Sequence, residues 1–345
     1  FYAINALNIL WLIGLIIILI RVYKKYDREE ISTFKEKYFR EFPANYGPET
    51  LDYLLNKNIT TKGLTASVLE LIRRKHLKIE RDNKKDYKLI LNINDDTDLS
   101  DSEKYLKNWL INEIGNGEEI TIKQINKVST NQMTASKFIK NYEKWQELIK
   151  ENNQDKEFFK DNTKVKIKSI VYVVLTSLIT LILNIVMLNN VLLAIIIMIG
   201  SVLAITYLIT FKTRTTKGNE DYVRWQAFKR FLNDFGNFDD KDLPEIVLWE
   251  KYLVFASVLG VAKKLEKVMR IKLTNMDVSS DIMDNYTFFH YHHGISGADF
   301  NTSLSNSIGR SISSAVTSSR ATLGSGGGSS SGGGGFGGGG GGGRF

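Results

Sequence analysis

The residues best suited to metal chemistry lie in one short segment, Phe288-Phe289-His290-Tyr291-His292-His293, with Asp281 and Asp284 just upstream. On an extended segment His290 and His292 share a face. Zinc needs three or four such ligands in fixed geometry, and His290, His292 and His293 are the candidates for it. The segment reads as loosely ordered, so the expectation is instead an aromatic patch that docks on a helical module or the membrane. The paired acids Asp95-Asp96 and Asp239-Asp240 fall in polar loops and read as solvated. No Ser/His/Asp spacing stands out. The Gly-rich run at the C-terminus lacks the strand and helix that a phosphate loop requires. The chain has no cysteine, which excludes disulfides, thiolate zinc sites and a Cys nucleophile. No catalytic residue and no cofactor is expected, and the chain is read as a non-enzyme.

A second set of residues could bind nucleic acid. Arg73, Arg74 and Lys75 close a helix, and Lys84, Lys85 and Lys88 sit on the β-hairpin that follows. A DNA reader places the start of its recognition helix on base edges and its basic groups on phosphates. Here that start is Gly63-Leu64-Thr65-Ala66-Ser67, without Arg or Asn, and Glu70 adds a negative charge. A protein-contact module with a solvated basic edge is the leading reading, and a membrane-tethered DNA-binding regulator is the alternative.

The elements that carry these residues are set by three long apolar stretches, residues 1–20, 169–187 and 191–211. A bilayer core needs about 20 apolar residues of helix, and only helices or closed barrels satisfy their own backbone there. The runs are continuous, without period-2 alternation, so helices are expected. The first lacks a basic n-region and a cleavage site and is read as a true span whose upstream part is absent. Much of the net charge of +8 flanks the spans: Arg21, Lys24, Lys25 and Arg28; Lys164, Lys166 and Lys168; Lys212, Arg214 and Lys217. The positive-inside rule puts all three clusters in the cytoplasm, which gives a multi-pass protein of the cell membrane with a cytoplasmic C-terminus. No Asp, Glu, Lys, Arg or His lies within the spans, which argues against a proton pathway and leaves a transporter component as a third reading. Thr176, Thr180 and Asn184 share a helix face, and Gly200 and Ala204 form a small-xxx-small pair. Both patterns suit close helix packing, within one chain or in a homo-oligomer.

Between spans one and two, residues 29–98 read as helix, helix and β-hairpin, a winged-helix-like order, with strands at Leu77-Lys78-Ile79-Glu80-Arg81 and Tyr87-Lys88-Leu89-Ile90-Leu91. Residues 99–162 form a second helical module, in which Ser129 and Gln132 have capping-box spacing for a long helix. Residues 213–274 form a helical module. One helix there carries Tyr222, Trp225, Phe228, Leu232 and Phe235 on a stripe; another runs to about Met269 through the apolar segment 252–262, too short to span and read as buried. Residues 275–345 are Ser- and Gly-rich and read as a disordered tail without a packed core.

Several segments together resemble a known family. They are Arg214-Thr215-Thr216-Lys217-Gly218, Trp225-Gln226-Ala227-Phe228-Lys229-Arg230-Phe231-Leu232, Leu248-Trp249-Glu250-Lys251-Tyr252-Leu253 and Phe255-Ala256-Ser257-Val258-Leu259-Gly260-Val261-Ala262. With the two-span hairpin before them and the Gly tail after them, this order resembles the bacterial membrane-protein family called domain of unknown function 2207. The resemblance implies an extracytoplasmic domain upstream of Phe1 and no established activity. The expectation is a mainly α integral membrane protein. It has three transmembrane helices, a winged-helix-like α+β cytoplasmic module, a helical C-terminal module and a disordered Gly/Ser tail. Its expected partners are the lipid bilayer and a cytoplasmic protein, bound through these modules or the tail, ahead of nucleic acid.

Overall fold

The structure, a computed structural model, describes residues 2–83, 86–93, 95–186, 191–239, 245, 248–275 and 297–323. Three helices are long and apolar enough to cross a membrane: α1, Tyr2–Val22; α7, Thr163–Val186; and α8, Val191–Thr210. They pack on one another along narrow stripes. Val173, Ser177, Thr180 and Asn184 are the buried residues of α7, and Ile197, Ser201, Ala204 and Leu208 those of α8. Leu10, Ile13, Ile16, Leu175, Leu178, Ile182, Leu192 and Leu203 point outward and exposed. An apolar surface of that extent on a helix needs lipid to cover it. Lys164, Lys166 and Lys168 lie on the first turns of α7 rather than before it.

Polar side chains join the spans at two levels. The amides of Asn8 and Asn184 bond reciprocally, each Nδ2 donating to the other's Oδ1 at 2.9 Å. Nearer the body, Ser201 Oγ donates to Ser177 Oγ at 2.8 Å. Thr180 and Asn184 are buried, whereas Thr176 sits at the edge, its hydroxyl turned back to the Tyr172 carbonyl at 2.8 Å. Gly200 faces α1, where a Cβ would lie 3.7 Å from Leu15, and Ala204 is buried. Asn184→Val leaves the Asn8 amide without its partner in an apolar bundle. The expected cost is about 1–2 kcal/mol, read as unfolding in mixed detergent micelles. Asn8→Val with Asn184→Val should recover part of it, and an unchanged single variant would show that the pair does not hold the spans.

The remaining elements form one body with a shared core. Helices α2, Pro48–Asn56, and α3, Thr61–Arg73, lead into strands β1, Leu77–Asn83, and β2, Asp86–Leu91. Thr60 caps α3, its side chain accepting from the Lys62 amide. The strands pair antiparallel, with Leu77 opposite Leu91 and Ile79 opposite Leu89, and alternate Leu77, Ile79 and Leu89 into the core. Helix α4, Asp101–Asn108, starts in a Ser100/Glu103 capping box and runs on through a π-helical stretch, Trp109–Ile114. A third strand, β3, Glu119–Thr121, adds to β2 and gives the order β1-β2-β3. Residues from both sides of position 98 therefore share one sheet.

Helix α5, Ile122–Thr130, and α6, Gln132–Glu151, follow. The expected Ser129/Gln132 box is not the start of α6. Ser129 is a buried residue of α5 whose hydroxyl donates to the Asn126 carbonyl, and Asn131, in extended backbone, caps α6 by accepting from the Met133 amide. After the spans come α9, Thr216–Asn233, α10, Trp249–Leu259, and α11, Ala262–Asn275. The long helix expected to reach Met269 is broken at Gly260, whose φ of +76° lies in the left-handed region. Glycine adopts that region without steric cost. Helix α10 is buried from Trp249 to Leu259 except at Lys251, and Trp225 and Trp249 are both core residues.

The largest correction concerns residues 297–323 of the expected tail. Gly297–Leu323 forms a helix, α12, packed on α3, α5 and α6. Phe300, Leu304, Ile308, Ile312 and Ala315 are buried in the same core as the rest of the body. They recur at every fourth residue or nearly so, one stripe of a helix. Serines made the segment look coreless, yet Ser307 and Ser311 are buried at the contact, and Ser311 Oγ donates to Asn126 Oδ1 at 2.9 Å. Residues 324–345 lie outside the described residues.

Candidate functional site: the collar at the span ends and the cleft beyond it

Arg214 follows the third span by four residues and is buried, 4 % exposed. Its guanidinium donates from Nε to the Leu54 carbonyl at 3.0 Å and from Nη2 to the Leu55 carbonyl at 2.7 Å. These carbonyls belong to the last turn of α2, where no intrahelical donor is left for them. A third donor, Nη1, reaches Glu29 at 2.8 Å, and the guanidinium stacks 3.8 Å from the Tyr222 ring centre. Glu29 follows the first span and also pairs with Lys57 at 2.8 Å. Burial works to raise its carboxyl, but hydrogen bonding and charge from Lys57 and Arg214 outweigh that and hold it below the usual range. Arginine suits this place because its planar fork carries several donors and stays charged when buried.

Further bonds close the collar. Asp27, at the end of the first span, accepts from the Tyr207 hydroxyl at 2.9 Å. Thr213 Oγ donates to the Tyr26 carbonyl at 2.6 Å. The segment before α7 pairs with the segment after α8: Lys160 N donates to the Thr213 carbonyl at 2.9 Å, and Thr215 N to the Phe158 carbonyl at 3.0 Å. Thr215 then caps α9, accepting from the Gly218 amide. Gly218 is required at this point because a Cβ there would collide with the Phe158 backbone. All three spans are thereby bound at their body-side ends to one another and to α2.

The other end of α2 opens on a cleft of about 530 Å³. Pro48, Glu49, Glu70, Ser100, Glu103 and Asn153 line it with Arg74, Lys156 and Lys251. Arg73 takes Glu70 in two bonds of 2.7 and 2.8 Å, and Arg74 takes Glu103 at 2.9 Å and Asp98 at 2.6 Å. His76 Nε2 stands 3.2 Å from Asp98, whose carboxyl is held at about 2 by its bonds to Arg74 and His76. Among the described residues no cation pairs with Glu49. It accepts from Ser67 Oγ at 3.0 Å. Burial, then the negative charge of Glu103, pushes its carboxyl up to about 7. Asn153 is buried, and its Oδ1 has no hydrogen-bond partner among the described residues.

The residues expected to bind nucleic acid are placed differently. Arg73 and Arg74 are used inside the acid cluster. Lys75 sits in the left-handed region, φ 64°, as the chain turns into β1. Lys88 joins β2 to β3 through Glu119 at 3.0 Å. Residues 63–67, the start of α3 that would face the bases, are all buried, as is the rest of the helix to Ile72, among α2, α10 and α12. Lys84 and Lys85 lie outside the described residues, as do His290, His292 and His293; among the described residues no group of three or more His, Cys, Asp or Glu could hold a metal. In the sequence Arg214 reads as a topogenic charge and as part of a family motif, not as a clamp, and Glu29, Glu49, Ser177 and Ser201 carry no local signal of their roles. The mid-span amide of Asn8 was the one local signal that could have been caught.

Outward apolar faces on three packed helices, tied at one end to a polar body, define an integral membrane protein. A family model described as the C-terminal domain of a predicted membrane protein, domain of unknown function 2207, matches residues 35–269. The chain belongs to this family. The match covers α2 through most of α11, including the second and third spans. No curated protein and no solved structure matches the chain.

Proposed function

We propose that the chain is a non-enzymatic transmembrane coupling protein, with spans that bias the position of a cytoplasmic body that binds a protein partner. The observation that carries this reading is Arg214, bonded at once to the end of α2 and to the segment after the first span. Helix α2 is nine residues, about 13 Å at 1.5 Å per residue. It runs from the collar to the cleft, so a shift of the spans moves the cleft wall. The basic clusters at the body-side ends support a cytoplasmic body and C-terminus at the cell membrane. Residues 48–91 are read as a winged-helix-like module used for protein contact, because its second helix is spent on the core.

The test is photo-crosslinking of the full chain in native membranes, beside Arg214→Lys. Lysine keeps the charge but not the fork. A specific partner held by the parent chain and lost or weakened in the folded variant is the expected result. Absence of any specific protein partner would sink the reading. Salt-dependent DNA capture by the purified chain would replace it with a tethered regulator.

A further inference from the structure

Lysines converge where the second and third spans enter the body. Lys212 lies two residues past α8, Lys166 on the first turn of α7, Lys150 at the end of α6 and Lys57 after α2. Lys212 is half-buried. Its ammonium donates to the Tyr53 hydroxyl at 2.9 Å and the Lys57 carbonyl at 3.0 Å. It lies 4.3 Å from the Tyr53 ring centre and 4.0 Å from that of Phe159. Two of its three protons are thus placed on neutral acceptors, and among the described residues no carboxylate pairs with it. Burial, then the charges of Lys150, Lys166 and Lys57, pushes this ammonium down to about 8. Lys57 is partly neutralised by Glu29. Lys166 Nζ donates to the Ile209 carbonyl at 3.0 Å and stands 4.6 Å over the Phe211 ring. Lys150 is exposed.

A desolvated cation facing other cations is unfavourable unless an anion joins them. Its depth tells which anion. Lys166 and Lys212 bracket the body-side ends of α7 and α8, so they sit at the level of lipid headgroups, with the Phe211, Tyr53 and Phe159 rings beside them. Long basic side chains at span ends reach toward that layer, and each is worth about 1 kcal/mol against an anionic membrane surface. Ordinary surface attraction needs no burial. Lys212 is held by two acceptors and two rings, which marks a fixed binding position and not a diffuse field. We propose that Lys212, with Lys166 and Lys150, binds the phosphate of an anionic phospholipid at the body-side membrane surface.

The experiment uses the full chain in nanodiscs and compares spin-labelled phosphatidylglycerol with phosphatidylcholine for retention at the protein surface. The parent chain should select phosphatidylglycerol, and the selectivity should survive high salt better than that of exposed charges, because the cation is partly buried. Lys212→Gln keeps a donor for the Lys57 carbonyl and removes the charge. It should lower the selectivity about fivefold, with Lys166→Gln, on a less buried rim, lowering it by a similar factor. Equal retention of both lipids by the parent chain would overturn the proposal. So would selectivity unchanged in both folded variants. Displacement of the lipid by millimolar inorganic phosphate would assign the lysines to a free anion and overturn it as well.

Discussion

Arg214→Met is expected to lower the unfolding free energy of the body by about 3–5 kcal/mol, the range seen when one partner of a buried ion pair is removed. The loss has two parts. The Leu54 and Leu55 carbonyls lose their donors inside the protein, and an unsatisfied buried acceptor costs about 1–3 kcal/mol. Glu29 keeps Lys57, which limits the charge penalty. Arg214→Lys should lie between the two, since an ammonium cannot serve both carbonyls and Glu29 in one plane. The check is denaturant unfolding of the full chain in detergent, followed by tryptophan fluorescence, because Trp225 and Trp249 report on the body core. A methionine variant within half a kcal/mol of the parent, about the scatter of neutral surface changes, would show that Arg214 does not pin α2.

Glu49→Gln is expected to change how stability depends on pH. In the folded body the Glu49 carboxyl titrates at about 7, raised from 4.5 by burial and then by Glu103. The folded state therefore holds a proton that the unfolded chain releases. Stability from this group is fully present below the unfolded value, falls as pH rises between about 4.5 and 7, and levels off above. At 1.36 kcal/mol per unit, the parent should lose about 3 kcal/mol relative to Glu49→Gln across that window. Glutamine preserves an acceptor for Ser67 and carries no charge, so other titrating groups cancel in the comparison. Parallel curves for the two proteins between pH 4.5 and pH 7.5 would mean that Glu49 is charged in the fold, with a cation or solvent at the cleft that neutralises it.

Both effects depend on residues whose roles are not visible locally. Arg214 reads in sequence as one more basic residue after a span, and its acceptors lie about 160 positions earlier. Glu49 reads as an acid in the first turn of a helix, favourable to the helix dipole and ordinarily solvated. Only the packing of α3 and α10 against α2, with Glu103 nearby, turns it into a buried carboxyl that no cation pairs with among the described residues. The basic groups proposed for DNA show the converse. Arg73, Arg74 and Lys88 have the right spacing, but spacing does not say which face of α3 is covered, and α10 and α12 cover it.

Helix α12 escaped the sequence reading for a related reason. Composition over 275–345 is dominated by Ser and Gly, so an average over the segment hides the stripe from Phe300 to Ala315. Read residue by residue, its near-fourfold recurrence is that of an amphipathic helix with small residues at close contacts, and the groove between α5 and α6 supplies the surface that makes the helix stable.

What the sequence determined by itself was everything set by local length and period. Twenty apolar residues are long enough to cross a bilayer whatever surrounds them, and alternation at Leu77-Lys78-Ile79 and Tyr87-Lys88-Leu89 makes half-buried strands. The order of motifs from Arg214 to Ala262 was enough to place the chain in its family. The tertiary structure alone decided which polar groups would be taken out of water together. Burial and pairing depend on contacts between residues far apart in the chain, and those contacts turned Arg214 into a clamp, Glu49 into a proton-holding acid, and Lys212 into a cation with no carboxylate partner among the described residues.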